Sequence, residues 1–250
     1  MIPKVIHYCW FGRNPLPKLA KKCISSWKKY LPDYEIKEWN EDNFDVNIIP
    51  FTEQAYACKK YAFVSDYARF WILYNYGGVY FDTDVEVIKP MDEIIQKGPY
   101  MGCENFVIQN NALQVAPGLG MAAYKEMGFY EDVLAYYRKL PFLVDGKPDL
   151  LTVVKIVTEL LYSKGLISVN ETQKIDGLMI YPADFFAARE NALIHVPLTS
   201  NSYSIHHYMA SWENPYFRIK KKIERIIGEG LTRRIVSVKK RLKSVLKAKK

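Results

Sequence analysis

The sequence predicts an α/β domain with a mainly parallel central sheet and helices on its faces. Strand-like and helical patterns alternate along residues 1–216, and this alternation is typical of parallel sheets. The 250 residues are 49% hydrophobic and 25% charged, which is the composition of a globular domain with a sizeable core. No apolar run reaches the roughly 18 residues that a membrane-spanning helix needs. We therefore expect a folded α/β domain rather than a disordered or membrane-spanning chain.

The predicted elements of the first hundred residues follow from β-rich alternation, helical spacing and breaks at Pro or Gly. In order, they are a strand at Lys4–Trp10, a helix from Pro17 to about Tyr30, a strand at Tyr34–Trp39, a helix at Ser65–Tyr76, strands at Val79–Phe81 and Val85–Ile88, and a helix around Met91–Gln96. Ser65 is expected to cap the long helix, and Gly77 and Gly78 are expected to end it.

Fewer elements are predicted beyond residue 100. Two helical patterns lie between Ala122 and Lys164 and are separated by Pro141–Asp149. Strand-like segments return at Leu178–Tyr181 and Tyr203–His206. These segments extend the same α/β alternation to the end of the domain.

Positive charge is concentrated at the C-terminus. The chain carries +8, but residues 218–250 hold fourteen Lys or Arg and two Glu, so residues 1–217 carry −4. Apolar residues in this tail recur every three or four positions, as in an amphipathic helix. A basic amphipathic helix is typical of binding to an anionic membrane surface, although a helix packed on its own domain with a solvated basic face stays open.

These patterns divide the chain into a domain at 1–216 and a helical basic tail at 217–250. The tail has no aromatic residue beyond Phe217, which disfavours base stacking and therefore nucleic acid as a partner. We expect the tail to associate with a membrane surface.

The N-terminus and the cysteines bear on location. The first residues lack the charged, apolar and small-residue regions of a secretory signal. The four cysteines are widely spaced and form no CxxC, which favours neither a disulfide scaffold nor a cysteine zinc site. The expected location is the cytoplasm, peripherally on the inner face of the cell membrane.

Asp82 and Asp84 follow a predicted strand and form the most informative motif. On an extended chain their side chains point to opposite faces, so both reach one cation only if the chain turns at the strand end. Carboxylate oxygens of this kind suit Mg²⁺ or Mn²⁺ bridged to a diphosphate. The same spacing is also common in exposed turns, so the motif alone does not distinguish a metal site from a turn, and the neighbouring residues are needed as evidence.

Two further groups of polar residues extend this motif. Asp66 and Arg69 are three positions apart on a predicted helix and share a face, where they can form an ion pair or bind sugar hydroxyls and phosphate. His206 and His207 fall late in the chain. A neutral imidazole can complete a metal shell begun by the carboxylates, or the two can be ordinary loop histidines.

Five blocks of the sequence, in order, resemble glycosyltransferase family 32, the DXD-containing sugar transferases. They are IPKVIHYCWFG, SW at 26–27, YAFVSDYARFWILYNYGGVYFDTDVEVIKP, NALQVAPG and HHYMASW. The family covers bacterial capsular-polysaccharide transferases and fungal initiating α-1,6-mannosyltransferases, and it is similar, more distantly, to the glucosyltransferase domain of large clostridial toxins. The resemblance implies a GT-A (nucleotide-diphospho-sugar transferase) fold, a UDP- or GDP-sugar donor and Mn²⁺ or Mg²⁺ as cofactor.

The resemblance also implies roles for matching residues. The catalytic candidates are Asp66, Arg69, Asp82 and Asp84, and the metal candidates are Asp82, Asp84, His206 and His207. The donor-binding candidates are His7, Trp10, Tyr80, Asn111, Ser211 and Trp212. Trp10 matches the aromatic ring that stacks on the nucleotide base. Toxin-like relatives carry an acidic residue and Asn where this chain has histidines, so the third metal ligand is open.

The predicted function is that of a metal-dependent, retaining hexosyltransferase. It would move a sugar from a nucleotide-sugar donor to a glycan acceptor, lipid-linked in our interpretation, in surface or capsular polysaccharide biosynthesis. Acids with metal-type spacing, rather than two opposed carboxylates, favour transfer over hydrolysis. The alternatives are a toxin-like protein glycosyltransferase and a non-catalytic membrane- or nucleic-acid-binding module driven by the tail.

Overall fold

The strands of this chain are short and fall into one large and three small sheets. The computed structural model describes residues 1–104, 112–190 and 195–209. The strands within these ranges are β1 (Val5–Cys9), β2 (Glu35–Trp39), β3 (Gly78–Tyr80), β4 (Val85–Val87), β5 (Tyr100–Gly102), β6 (Met121–Ala123), β7 (Leu143–Val144), β8 (Lys147–Pro148), β9 (Gln173–Ile175), β10 (Leu178–Tyr181), β11 (Arg189–Glu190), β12 (His195–Val196) and β13 (Ser204–His206).

The helices alternate with the strands along the chain. Those in the described ranges are α1 (Lys18–Tyr30), α2 (Pro50–Ala57), α3 (Tyr61–Tyr76), α4 (Asp92–Gln96), α5 (Gly128–Lys139), α6 (Val153–Ser163) and α7 (Ala183–Phe186). A 3₁₀ turn at Pro117–Leu119 precedes β6. Within the part of the chain that the structure describes, no helix combines the length and apolarity needed to cross a bilayer.

Seven of the described strands form the central sheet, in the order β2-β1-β3-β6-β5-β10-β9. The strands β2, β1 and β3 pair in parallel, and so do β5 and β10. Strand β6 runs opposite to its neighbours β3 and β5, and the edge strand β9 runs opposite to β10. Five of the seven strands therefore share one direction, which confirms the predicted mainly parallel sheet.

Two hydrophobic cores lie on opposite faces of this sheet. Helices α2, α3, α5 and α6 contribute to one core, in which Phe70 and Tyr137 are almost fully buried. Helices α1, α4 and α7 contribute to the other, which contains Trp27. Along Val79–Phe81 the side chains alternate between the cores, with Tyr80 entering the first and its two neighbours the second. The chain that follows β3 is thus rigidly supported from both faces.

Helix α3 begins earlier than predicted. Its first residue is Tyr61, because the buried side chains of Phe63 and Val64 continue its apolar face by one turn. Ser65 therefore lies inside the helix, where its hydroxyl donates to the Tyr61 carbonyl at 3.2 Å, and the prediction that it caps the helix is wrong. The predicted end is confirmed, since Gly77 follows Tyr76 with φ of +65°.

The basic tail at 217–250 lies outside the described residues. Its helical form, the domain boundary at 216 and its association with a membrane therefore stay predictions. All four cysteines are free thiols in the structure.

Candidate active site

The candidate site lies at the carboxyl ends of β1 and β3, an edge at which α/β sheets commonly bind ligands. The two strands are parallel neighbours, with His7 opposite Tyr80. The chain leaves β1 into Trp10 and leaves β3 towards Asp82. Residues more than 70 positions apart are therefore brought to one edge of the sheet.

The segment Asp82-Thr83-Asp84 forms a turn that brings two carboxylates together. The amide of Val85 donates to the Asp82 carbonyl at 3.0 Å and closes this turn before β4. One ligand atom each of Asp82, Asp84 and His206 lies within 4.8 Å of the other two. The turn that the motif needs is therefore present.

Arg69 holds Asp82 from the interior of the protein. Its side chain is only 4% exposed, and Nη2 lies 2.9 Å from Oδ1 of Asp66 and 3.2 Å from Oδ1 of Asp82. Its Nε donates to the Ser65 carbonyl at 3.1 Å, and the guanidinium lies 5.0 Å from the centre of the Tyr80 ring. These contacts confirm the predicted shared face of Asp66 and Arg69 and make Arg69 a positioning residue for Asp82.

The guanidinium of Arg69 forms ion pairs with two buried carboxylates, those of Asp66 and Asp82. Burial raises the pKa of Asp66 to about 7, although Arg69 opposes this shift. Burial also raises the pKa of Asp82, against the lowering influence of Arg69. The hydroxyl of Tyr80 donates to Oδ1 of Asp82 at 3.1 Å and further favours its ionised form. This side of the site is short of positive charge.

Asp84 is held instead by the segment 206–209. Nε2 of His206 lies 3.0 Å from Oδ1 of Asp84, and the Met209 amide donates to Oδ2 at 2.7 Å. The His207 amide donates to the Asp84 carbonyl at 3.0 Å. Burial alone would raise the pKa of Asp84, but His206 and the Met209 amide lower it to about 2. Asp84 is therefore ionised throughout the physiological pH range.

A two-stranded antiparallel ladder places the late segment on the acidic motif. Strand β13 pairs with β4, and His206 lies opposite Val85 in this pairing. The ladder brings His206 to a residue 122 positions earlier in the chain. Beyond it, Tyr208 adopts a left-handed conformation with φ of +47°, and the following Met209 amide reaches Asp84.

The two predicted histidines have different partners. His206 joins Asp82 and Asp84, whereas Nε2 of His207 lies 2.8 Å from Oε2 of Glu86. The same Glu86 oxygen also pairs with Lys22 at 2.8 Å. Among the predicted metal ligands, the structure therefore brings three together and places His207 in a neighbouring ionic cluster.

The Asp82–Asp84–His206 cluster fits a divalent cation in donor type and in charge. Carboxylate and imidazole groups suit Mn²⁺, and carboxylate oxygens also suit Mg²⁺. The three carboxylates of Asp66, Asp82 and Asp84 face one guanidinium, that of Arg69, so in their ionised forms they carry two more negative charges than it balances. Nδ1 of His206 is buried without a hydrogen-bond partner among the described residues, so the ring is not fully engaged by the protein.

The sequence around this cluster matches a known family. Residues 17–100 match the model described as "Glycosyltransferase sugar-binding region containing DXD motif". Over these residues the chain is similar to the DXD-containing glycosyltransferases. The recognition made from the sequence motifs is thereby confirmed. The matched region contains Asp66, Arg69, Tyr80 and both acids of the motif, and the fold adds His206 from outside it.

Two curated proteins from Schizosaccharomyces pombe (strain 972) are similar to part of this chain. Inositol phosphoceramide mannosyltransferase 1 is 31% identical over 111 residues, which cover 40% of this chain and 33% of that protein. Inositol phosphoceramide mannosyltransferase 3 is 32% identical over 102 residues, which cover 38% of this chain and 27% of that protein. The chain thus spans about a third of the length of the curated relatives it matches.

A solved structure supports the predicted GT-A architecture of this chain. The PaToxG glycosyltransferase superposes with a TM-score of 0.50 at 21% sequence identity. The match covers 66% of this chain and 70% of that chain. At this identity the likeness concerns the fold.

Three of the predicted donor-binding residues lie near the Asp82–Asp84–His206 cluster. His7 is 2% exposed; its Nδ1 accepts from Trp39 Nε1 at 3.0 Å and its Nε2 donates to the Gly77 carbonyl at 3.0 Å. Burial lowers its pKa to about 4, so it is a neutral support between β1 and β3. Trp10 is partly exposed at the end of β1 and donates to the Asn14 carbonyl at 2.5 Å. Tyr80 is buried behind Asp82.

Direct donor contact by His7, Trp10 and Tyr80 stays a prediction. Their geometry supports His7 and Tyr80 as positioning residues and leaves the Trp10 ring partly open for stacking. The other three donor candidates, Asn111, Ser211 and Trp212, lie outside the described residues.

Gly118 is a site residue that the sequence motifs did not single out. It lies in the 3₁₀ turn at Pro117–Leu119, and its carbonyl accepts from the Asp82 amide at 3.4 Å. A Cβ atom at this position would overlap Oδ2 of Asp82 and lie 3.2 Å from Nη1 of Arg69. Only glycine lets this turn pack directly on the acidic motif.

Hydroxyl groups of helix α6 hold the segment that leads to Gly118. Oγ1 of Thr158 accepts from the Val115 amide at 2.9 Å, and the hydroxyl of Tyr162 accepts from the Leu113 amide at 2.9 Å. Four helical residues rise by roughly 6 Å and two extended residues by nearly 7 Å, so the spacings match. Side-chain hydroxyls of α6 therefore accept the backbone hydrogen bonds that a neighbouring strand would otherwise accept from this segment.

Proposed function

We propose that this protein is a metal-dependent, retaining hexosyltransferase that moves a sugar from a UDP- or GDP-sugar donor to a glycan acceptor. The observation that carries the proposal is the meeting of Asp82, Asp84 and His206 at the carboxyl edge of the central sheet, with both acids inside the region that matches the DXD family model. Retention of anomeric configuration is what the family resemblance implies.

In this proposal Asp82, Asp84 and His206 would hold Mn²⁺ or Mg²⁺, and the ion would supply positive charge to neutralise the leaving nucleoside diphosphate. Arg69 keeps Asp82 in place because its guanidinium is bound to Ser65 and Asp66 as well. The Met209 amide fixes the second oxygen of Asp84. The ligands are therefore preorganised before a donor arrives, which is the condition for effective electrostatic stabilisation.

Asp66 is the side chain best placed to receive a donor sugar beside the acidic pair. Its side chain is 14% exposed, whereas that of its partner Arg69 is 4% exposed. A carboxylate accepts hydrogen bonds from sugar hydroxyls, and such bonds favour its ionised form. Donor binding is thus expected to lower the raised pKa of Asp66.

The acceptor in this proposal is lipid-linked, and the protein works peripherally on the cytoplasmic face of the cell membrane in surface or capsular polysaccharide biosynthesis. The two curated relatives are named for mannose transfer to inositol phosphoceramide, a lipid, which supports a lipid acceptor and a mannosyl donor. The basic residues at 218–250 support attachment to an anionic membrane.

The proposed function is tested by supplying the purified protein with a panel of UDP- and GDP-sugars. Release of nucleoside diphosphate is followed with Mn²⁺, with Mg²⁺ and with EDTA. We expect slow hydrolysis of one donor that stops in EDTA and returns with metal, which names the sugar and the base together. Absence of release from every donor, together with absence of nucleotide binding by calorimetry, would overturn the proposal.

A further inference from the structure

Helix α1 carries a row of lysines on its solvent face, which we call the lysine stripe. The stripe consists of Lys18, Lys21, Lys22, Lys28 and Lys29, and all five are exposed. At 100° per residue they fall within about 120° of the helix circumference. The opposite face is buried through Ala20, Cys23 and Trp27. Packing thus fixes which face the lysines present.

The charge of the lysine stripe contrasts with the rest of the domain. Helix α1 contains five lysines and no acid, whereas residues 1–217 as a whole carry −4. Lys22 pairs with Glu86, and the other four lysines form no ion pair with any residue in the described ranges. Four neighbouring positive charges therefore remain available to a partner.

Local helix energetics oppose this arrangement at its N-terminus. Helix α1 begins after Pro17, which provides no side-chain cap, and its first turn has no acidic residue. Lys18 and Lys21 lie at this end, where the helix dipole disfavours positive charge. A conflict between local preference and sequence is expected where a residue serves a function.

The lysine stripe adjoins the candidate active site. Lys22 is bound to Glu86, which also holds His207 beside the metal-type cluster. The ring nitrogen of Trp27 donates to the Val85 carbonyl at 2.8 Å, so α1 is fixed to the strand that follows the acidic motif. A surface that binds the stripe therefore also lies close to the site.

We propose that the lysine stripe docks on an anionic membrane surface and holds the edge of the active site next to the bilayer. The inference rests on the proposed function for its lipid-linked acceptor, which such docking brings within reach. The stripe contains no arginine, and the ring beside it, that of Tyr30, is contacted by Nζ of Lys29 at 4.6 Å. Arginine and free aromatic rings are the groups that nucleic-acid interfaces use for bidentate contacts and stacking. Lysine point charges suit a diffuse layer of anionic headgroups.

The test measures binding of the full-length protein to vesicles of phosphatidylcholine alone and of phosphatidylcholine with phosphatidylglycerol at 3:1. The stripe variant is Lys18→Gln/Lys21→Gln/Lys28→Gln. The control is Lys139→Gln/Lys147→Gln/Lys174→Gln, which removes the same charge from exposed lysines elsewhere on the domain. Each lysine near an anionic surface contributes on the order of a fivefold gain in binding.

We expect the stripe variant to lose tenfold or more of its partition onto anionic vesicles. The control should stay within about twofold of the parent, and neither variant should bind the neutral vesicles. Equal losses in both variants would show a general charge effect and overturn the proposal, as would full binding by the stripe variant. Loss of binding to a DNA oligonucleotide with retained vesicle binding would also overturn it.

Two further measurements separate this inference from others. Donor hydrolysis in solution, without vesicles, should be equal in the parent and in both variants, and its absence in all three would count against the proposed function while leaving the vesicle result intact.

The pair Lys18→Gln/Lys21→Gln should be at least as stable as the parent in urea, because it removes two charges opposed to the helix dipole. A large loss of stability would contradict the energetic argument.

Discussion

Asp82 and Asp84 are two residues apart, yet their surroundings have opposite effects on them. Asp82 lies against the interior and shares Arg69 with Asp66, and its pKa is raised by burial. Asp84 lies under the late segment 206–209, whose imidazole and amide lower its pKa to about 2. The two acids of one short motif are therefore positioned by unrelated parts of the chain.

We call these two regions the interior side and the segment side. The interior side consists of Asp82 with its supports Arg69, Tyr80 and Gly118, and the segment side consists of Asp84 with residues 206–209. The interior side is built from helix, sheet and core contacts, and the segment side from one ladder and three hydrogen bonds to Asp84.

The largest expected effect is loss of turnover when either acid is neutralised. Asp82→Asn and Asp84→Asn should each lower metal-dependent donor turnover by about 10³-fold or more, because each removes a charged ligand from the site. The measurement is nucleoside diphosphate release at saturating Mn²⁺. Asp145→Asn, in an exposed turn, serves as the control and should leave turnover unchanged. Full turnover in either site variant would contradict the account.

A methyl group at Gly118 should damage the interior side alone. The added methyl group of Gly118→Ala forces Asp82 or Arg69 to move. Donor turnover should then fall by about 100-fold, which is the effect of removing one preorganised group from an active site. Gly128→Ala is a matched control because a Cβ there meets nothing within 4 Å. Equal activity of the two variants would show that the close approach at Gly118 has no functional consequence.

Acid should destabilise the fold through His7, which links β1 to the Gly77 carbonyl beside β3. The pKa of His7 is about 4 in the folded protein against 6.5 ordinarily, so the unfolded chain binds a proton more readily as pH falls. The stability that His7 contributes is fully present above pH 6.5 and is lost between pH 6.5 and about 4, up to about 3 kcal/mol.

This pH dependence is checked by urea unfolding of the parent and of His7→Gln. The parent should be the more stable protein at pH 7.5, and its advantage should shrink steadily towards pH 4. A constant difference in unfolding free energy across this range would rule out His7 as the titrating group.

The smallest expected effect concerns the hydroxyl contacts of α6. Thr158→Val and Tyr162→Phe each leave a backbone amide without its acceptor, which should reduce the unfolding free energy by about 1–2 kcal/mol. Ser163→Ala removes a more exposed hydroxyl of the same helix and should change stability by less than about 0.5 kcal/mol. Similar losses of unfolding free energy in all three variants would show that the two hydroxyl contacts to the segment before Gly118 have no special role.

Local patterns predicted much of the interior side. The apolar run before Asp82, the helical spacing of Asp66 and Arg69 and the glycines that end α3 all act within a few residues of one another. The predicted start of α3 is wrong because a good capping residue, Ser65, follows an apolar turn that already belongs to the helix. Reversed strand β6 was not predicted, because Met121–Ala123 has no alternation that distinguishes it.

The remaining features depend on contacts between distant residues. His206, and not His207, reaches the acidic pair because of the register in which β13 pairs with β4. This register places Ile205 opposite Glu86 and His206 opposite Val85. Gly118 looks like an ordinary turn glycine until its approach to Asp82 is known. The Pro-Gly pair that ends the NALQVAPG block was the one available signal for it.

The most direct test of the account is Mn²⁺ binding followed by electron paramagnetic resonance, in the presence of UDP or GDP. It compares the parent with His206→Gln and with His207→Gln, a neighbouring control bound to Glu86 instead. We predict that His206→Gln weakens Mn²⁺ binding by about tenfold or more, as loss of one ligand should. His207→Gln should change it by less than about twofold, since it lies outside the ligand set. Equal effects of the two substitutions, or no Mn²⁺ binding by the parent, would contradict a metal site formed by Asp82, Asp84 and His206.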